Sequence, residues 1–321
     1  MLVSVVMPMR NAAPFVRSAV LSVLAESVIP LELLVIDDGS VDGSAAIVTA
    51  LTDPRVRLLR GPQRGIAACL NVGLLQAKGN IVMRCDADDI YPTGRIARQV
   101  TLLQSNPDAV AVCGGFLMMD EGGTTVMQSF TESAHQNNLN ISSELQAGTL
   151  RTSLCTFAFR RNVLKTINGF REYFETAEDI DFALRLGGVG PVYFFNENFY
   201  NYRIHGSSIT HSKSSERRIF FDEMAKLFAQ QRTKTGSDDL MNSIALSPPA
   251  SDKKPHSAEQ HLLALMVVGS WQCYRKGNYR GALKQAWRAV GAYPQRLDAW
   301  RLLVIVFLKI GIQLVLRKIN N

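Results

Sequence analysis

Along the first hundred residues, short apolar runs alternate with stretches whose apolar positions recur every three or four residues. Residues 2–7 form a short β-rich run; in residues 15–25, Val16, Ala19, Val20, Val23 and Leu24 share one helical face. A second strand at 33–36 stops at the turn-forming Asp37-Asp38-Gly39-Ser40. A helix at 45–51, a strand at 56–59 and a helix at 66–77 ended by Gly79 continue the pattern. A fourth strand at 81–85 then runs into Asp86-Ala87-Asp88-Asp89. Strands alternating with helices predict right-handed crossovers, hence an α/β fold whose mostly parallel, Rossmann-like sheet is flanked by helices. Ligands of such sheets bind beyond the carboxyl ends of the strands, where both acidic clusters fall.

Further along, a strand is expected at 110–116 and a hairpin at 117–126 around Glu121-Gly122-Gly123. Residues 131–147, polar and rich in Asn, suggest a loop or short helix on the acceptor side. Helices near 162–166, at 178–186 and at 220–232, and a late strand at 192–195, complete this part. The stretch 233–255, rich in Ser, Pro, Asp and Lys, has linker composition, and everything from 258 onward is helical in pattern. The expected organisation is a domain at 1–235, a linker at 236–257 and an all-helical C-terminal appendage at 258–321.

Composition adds little to the fold: 47% hydrophobic and 20% charged residues are ordinary for a globular chain. The net charge of +7 suits an anionic partner or merely a solvated basic face. No arginine–aromatic repeat or zinc-finger spacing points to nucleic acid, so no nucleic-acid partner is expected. Cys69, Cys85, Cys113, Cys155 and Cys273 are scattered and odd in number, which predicts buried free thiols in a reducing compartment. The N-terminus has no basic start or small-residue cleavage site and reads as the first strand. No apolar run reaches the ~20 residues of a membrane helix. The expectation is a cytoplasmic protein, either free or peripheral on the inner face of the membrane.

Candidate chemistry lies in five stretches. Three carboxylates, Asp86, Asp88 and Asp89, crowd four positions and repel each other unless a cation compensates them; Mg²⁺ or Mn²⁺ with phosphate oxygens would do so, while a polar turn capping a helix is the plain alternative. Asp37 and Asp38 end a strand, where an Asp can accept the imide N–H of a uracil ring, or simply shape a turn. Arg64 opens a helix of small residues and can reach a diphosphate, or lie on the surface. Glu178 and Asp179 open another helix: acids there suit the helix dipole, and a carboxylate near an acceptor hydroxyl can also act as general base. Finally, Tyr202-Arg203-Ile204-His205 pairs an Arg with a His that can hold a diphosphate or supply a metal ligand, or be an ordinary loop histidine.

In this order, and together with Ser4-Val5-Val6-Met7-Pro8, Asn11 and Asn168-Gly169-Phe170, these stretches resemble the family 2 glycosyltransferases, an inverting family with the GT-A fold. The likeness covers residues 2 to about 210. It implies a metal-dependent reaction of a nucleotide-diphosphate sugar. It implies that Pro8, Asn11, Asp37, Asp38, Arg64, Asp86, Arg203 and His205 bind the donor, with Asp38 on the base and Asp86 near the ribose. Asp88 and Asp89 are the implied metal ligands, for Mg or Mn, and Asp179 the implied base, assisted by Glu178. Arg10 stands where many relatives carry an aromatic residue, so UDP, GDP and dTDP donors all stay open, UDP first. The partners implied are a nucleotide-sugar donor and a saccharide or lipid-linked saccharide acceptor, in surface polysaccharide or glycolipid assembly.

The C-terminal third lies outside the likeness. Trp271, Tyr274, Gly277, Tyr279, Ala282, Ala286 and Pro294 loosely echo one tetratricopeptide helix pair. Residues 302–316 are almost all apolar, broken by Lys309 and Gln313, and too short to span a bilayer; their partner is either a membrane surface or protein, including a second copy of the chain. Competing readings of the whole are a nucleotide-sugar-binding module without activity and a nucleotidyltransferase. The turn at Pro8-Met9-Arg10-Asn11 lacks the GxGxxG of a dinucleotide oxidoreductase.

Overall fold

A computed structural model describes residues 1–130, 138–206, 215–250, 258–275 and 277–319. Two stretches discussed above, 131–137 and 251–257, lie outside the described residues.

The elements run β1 (Val3–Met9), α1 (Val16–Leu24), β2 (Leu31–Asp37), α2 (Ser44–Thr49), β3 (Val56–Arg60), α3 (Ile66–Gln76), β4 (Ile81–Arg84) and α4 (Arg95–Ser105). They continue with β5 (Ala111–Met119), β6 (Thr125–Gln128), β7 (Leu139–Asn140), α5 (Ser142–Gln146), β8 (Ala158–Arg160), α6 (Leu164–Ile167), α7 (Glu178–Gly187) and β9 (Val192–Arg203). Helices α8 (Ser215–Thr235), α9 (Ala258–Arg275), α10 (Tyr279–Ala292) and α11 (Leu297–Ile319) complete the chain.

The strands order as β3-β2-β1-β4-β8-β5-β9-β7, with β6 paired to β5. From β3 to β4 every pairing is parallel. At β8 the direction reverses, and β4–β8, β8–β5, β5–β6 and β7–β9 are antiparallel. The parallel half is the part whose connections are helical crossovers; the rest of the sheet is reached by returns that need no crossover. All seven residues of β1 are buried, as expected of a central strand covered on both faces, which explains an apolar run without alternation. The chain steps outward from β1 to β2 and β3, then comes back to place β4 on the other side of β1. The carboxyl end of β1 is therefore a topological switch point, with the ends of β2 and β4 flanking it.

Side chains alternate between the two faces of the sheet. Val3, Val5 and Met7 of β1 and Leu33 and Val35 of β2 join α1 and α4 in one apolar layer. Val6, Leu34 and Ile36 join α3, α7 and α8 in the other. A Cβ built on Gly73 of α3 would fall 2.3 Å from Val6 Cγ1 and 2.9 Å from Ile36 Cδ1, so the small residues of this helix serve its close approach to the sheet.

Pro8 lies mid-sheet without cost to the ladder. Val6 accepts a hydrogen bond from Cys85 N–H, so Val6 and, two residues on, Pro8 face the β4 side, and the β1–β4 register ends at Val6 and Arg84.

The chain clusters into two compact units. One comprises Met1–Phe116, Ser129–Tyr202 and Glu216–Asp252; the other comprises Leu117–Gln128, Arg203–Ser215 and Lys253–Asn321. In the second unit, Arg288 donates to Thr125 O and reaches Asp120 at 3.1 Å, and Gln285 donates to Val126 O, so α10 holds the hairpin formed by the end of β5 and β6. The expected hairpin at 117–126 is present, with Gly123 at φ 83° in its turn. The strand expected at 192–195 extends to Arg203, and α4, outside the elements expected above, buries Ile96, Val100, Leu102 and Leu103 together with Arg95 and Gln99.

Candidate active site

In the first unit the candidate residues lie at the ends of β1, β2, β3 and β4 and at the start of α7. After β2, Asp38 N–H donates to Met9 O, which ties the loop to the end of β1. The Asp38 carboxylate is 5% exposed and its Oδ1 accepts from Gln63 N–H at 2.6 Å. A Cβ on Gly61 would lie 2.7 Å from that oxygen, so only glycine leaves the carboxylate its place. Asp37 accepts from Ser40 N–H at 2.9 Å, a capping bond within the turn. Asn11, at φ 51°, accepts from Val41 N–H through its side chain and donates from its backbone to Ser40 Oγ. Asn11, Asp37 and Asp38 thus belong to one cross-linked pair of loops beyond β1 and β2. Asp37, Gly39, Leu58, Leu59, Arg60 and Gln63 line a depression of about 320 Å³ beside them. A larger cavity of about 600 Å³, lined by Met1, Leu74, Asn80, Arg160, Arg161, Asn162, Leu164 and Lys165, opens where the parallel strands begin, away from these loops.

After β4, Arg84 organises the acidic residues. It is buried; its Nε and second terminal nitrogen contact the two oxygens of Asp86 at 2.7 and 3.1 Å, and its other terminal nitrogen reaches Glu178 Oε1 at 3.2 Å. One guanidinium therefore joins the end of β4 to the start of α7, in the forked geometry that suits arginine. Asp86 is held further: its N–H donates to Tyr200 Oη at 2.9 Å, and Cys155 Sγ lies 3.7 Å from Oδ2. Tyr91 Oη donates to Arg84 O, and the Arg95 guanidinium sits 3.9 Å over the Tyr91 ring while donating to Cys155 O. These supporting residues come from four separate stretches. The one local signal they offered was Arg84 itself, a charge inside an apolar strand just ahead of an acidic run.

Charge crowds here. Burial raises the Asp86 carboxyl against the pull of Arg84, with Asp88 and Asp179 pushing the same way as burial. Glu178, 5% exposed, is pushed up to about 7 by burial and by the negative charge of Asp179, against Arg84. Asp88 is half-buried while Asp89 is fully buried, so Asp88 is the more open of the two expected ligands. Carboxylates crowded beside a single arginine are a fitting oxygen donor set for a hard divalent cation. Among the described residues no group of three His, Cys, Asp or Glu side chains is disposed to enclose a metal.

Asp179, half-buried, caps its own helix by accepting from Ile180 N–H at 2.9 Å. Ala177 ahead of it has φ 64°, an uncommon conformation for a residue with a Cβ, and its carbonyl accepts from Asp181 N–H. Asp181 is fully buried against Arg185, with Arg171 and Arg232 near it and Asp238 bound to the same two arginines. That network makes Asp181 an anchor of α7. The Asn168-Gly169-Phe170 turn is clamped by Asn71 of α3, whose amide accepts from Phe170 N–H at 2.8 Å and donates to Phe170 O at 2.9 Å.

Arg64 is exposed and pairs with Glu172 at 3.3 Å, a contact worth little in water. Arg203 and His205 belong to the second unit, where both are buried; Arg203 donates to Glu121 O at 2.6 Å, and the intervening Ile204 N–H donates to Met119 O. All five cysteines are free, and Cys69 is pushed up to about 12 by burial and by Asp38, so its thiol stays protonated.

With this geometry in view, the family model for glycosyl transferase family 2 matches residues 4–167, just over half of the chain. The chain belongs to glycosyl transferase family 2. The matched segment holds β1 to β4, both acidic loops and the Asn71 side of the clamp, but ends before Glu178. Among this family member's relatives, a hyaluronan synthase of Pasteurella multocida is 28% identical over 221 residues, 66% of this chain and 21% of the synthase. A chondroitin synthase of the same species is 28% identical over 64% of this chain and 21% of its own length. An uncharacterized glycosyltransferase of Rickettsia prowazekii is 26% identical over 69% of this chain and 70% of the relative. The chain thus spans about a fifth of the length of the two synthases. Among solved structures, residues 1–349 of S. aureus TarS in complex with UDP-GlcNAc superpose with a TM-score of 0.57 at 16% identity, covering 92% of this chain and 93% of that one. The fold is that of the GT-A glycosyltransferases, as the motifs implied.

Proposed function

We propose that the chain transfers a sugar from a nucleoside-diphosphate sugar, UDP-linked first, to an acceptor hydroxyl with inversion. The observation that carries this reading is the Arg84 bridge, which ties the acidic end of β4 to Glu178 and Asp179 at the start of α7. A donor site and a candidate base then share one rigid support.

In this reading, Pro8, Asn11, Asp37 and Asp38 hold the nucleoside beyond β1 and β2, Asp38 taking the imide N–H of the base. Asp86 faces the ribose. Asp88, with Asp89 behind it, would hold a divalent Mg or Mn, which would supply positive charge for the departing diphosphate. The acceptor oxygen attacks the anomeric carbon as the bond to the phosphate oxygen breaks; the hydroxyl proton passes to Asp179, and the nucleoside diphosphate leaves. Glu178, whose proton is held to higher pH by burial, is the supporting member of the pair and stays bonded to Arg84. Arg64, Arg203 and His205 are assigned to the diphosphate on the family's motif alone.

A UDP-sugar is supported by the TarS complex with UDP-GlcNAc. The names of the hyaluronan and chondroitin synthases support polysaccharide assembly; a saccharide or lipid-linked saccharide acceptor, in polysaccharide or glycolipid assembly at the inner face of the membrane, is part of the proposal. The test is turnover with a panel of UDP-, GDP- and dTDP-sugars, with and without Mn²⁺, on the wild type and on Asp88→Ala. Metal-dependent turnover or hydrolysis of one donor, with metal-dependent nucleotide affinity lost in Asp88→Ala, is expected. No turnover with any donor beside intact nucleotide binding would make the chain a binding module.

A further inference from the structure

The net charge of the chain is unevenly spread. Residues 253–321 contain twelve Lys and Arg against two Asp and Glu, so the preceding 252 residues carry a net charge of −3 within a total of +7. The same C-terminal segment exposes the largest apolar side chains. Along α11, Ala299, Leu302, Leu303, Val306 and Ile310 are buried at helical spacing, on the side that contacts α9 and α10. The opposite side is apolar too: Leu297, Trp300, Val304, Phe307, Leu308 and Ile312 are each between 43 and 71% exposed. At 3.6 residues per turn these six lie within one continuous stripe, opposite the buried one. A helix apolar all round belongs in a core or at a lipid boundary, and half of this helix is in neither. Among the described residues no helix is long and apolar enough to cross a membrane, so the stripe would lie along a surface.

We infer that the exposed face of α11 docks onto an anionic lipid bilayer, its apolar stripe entering the headgroup boundary. Charge decides between the candidate occupants. A second copy of the chain would bring two segments of net +10 face to face, which like-charge repulsion opposes. A bilayer with anionic headgroups takes up both the apolar stripe and the cations around it. Trp300 fits the same boundary: its ring is exposed while its indole N–H donates to Pro294 O, so no polar group is stranded when the ring enters lipid. Arg301, 74% exposed on its side chain, falls within the stripe, between the directions of Leu308 and Ile312, and its long stem lets the guanidinium reach headgroups.

The inference stands apart from the proposed transferase activity, because its test reads no turnover. The full chain is floated with vesicles of phosphatidylcholine alone or mixed with phosphatidylglycerol, at low salt and at ~1 M salt, where the Debye length falls to about 3 Å. Flotation on the anionic vesicles alone, weakened by salt, is expected. Phe307→Glu with Ile312→Glu, both at exposed positions, should lower the partition by at least about tenfold with the melting temperature unchanged. Absence of flotation on anionic vesicles overturns the inference, as does binding untouched by the double substitution. A concentration-dependent dimer of the free protein that the same substitutions dissolve also overturns it, by showing that a second copy covers the stripe.

Discussion

Asp179 and Glu178 are adjacent in sequence and opposite in circumstance. Asp179 is half-buried and bonded to its own helix; Glu178 is enclosed, bonded to Arg84 and shifted to about 7. Asp179→Asn should retain donor affinity and lose transfer by ~10²–10⁴-fold, because an amide cannot take the acceptor proton; single-turnover rates beside nucleotide titrations decide it, and near-normal transfer would move the base elsewhere. Glu178 makes a different prediction, about stability. Its folded pKa lies above the ordinary 4.5, so its contribution is complete below about 4.5 and is lost as pH rises through about 7. A displacement of that size is on the order of 3 kcal/mol. Denaturant unfolding should therefore show stability falling between pH 5 and pH 8 in the wild type, and a flatter profile in Glu178→Gln. An unchanged slope would mean that Glu178 is ionised in the folded protein throughout. At this scale the sequence disclosed the acids and not their partners. Asp37, Asp38, Asp86, Asp88, Glu178 and Asp179 stand in local runs that can be read directly. Tyr200, Tyr91, Arg95 and Cys155, which fix Arg84 and Asp86, gain their meaning only when stretches up to 114 residues apart meet.

Elements explain why those residues keep their positions. Helix α3 presses Gly73 onto β1 and β2 and clamps the Asn168–Phe170 turn through Asn71, while the buried arginine network around Asp181 anchors α7. Gly73→Val should overpack this contact and cost ~1–3 kcal/mol or more, read as a lower denaturant midpoint with an unchanged slope; a neutral result would mean that α3 can lift from the sheet freely. The parallel half of the sheet was legible because each of its strands is a short apolar run closed by a turn signal. The antiparallel half was less so. Only the first four residues of β9 were recognisable, since Asn196–Arg203 mixes Asn, Glu and aromatic residues on a half-buried strand. Helix α4 carries a readable pattern, Ile96, Val100 and Leu103 at helical spacing; what the pattern could not show is that Arg95 and Gln99 also turn inward.

For the whole molecule, the helical third and the hairpin Leu117–Gln128 belong to one compact unit, though nearly half of the other unit's sequence lies between them. A chain ending at residue 252 would keep the hairpin but lose Gln285, Arg288 and α9, which pair with or pack on it. Such a truncation is expected to expose Val126, raise ANS fluorescence and scatter light, whereas a monomeric, ANS-silent product would show that the hairpin needs no cover. Timing follows from the same arrangement. Helix α9 begins about 130 residues after β6 ends, and at the ~5–20 residues per second of translation the hairpin waits on the order of ten seconds, and longer for α10, before its partners leave the ribosome. During that interval Val126 and the open edge of β6 are a target for chaperones, and slowing synthesis between residues 128 and 258 should lower the soluble yield even though no residue of the finished protein has changed.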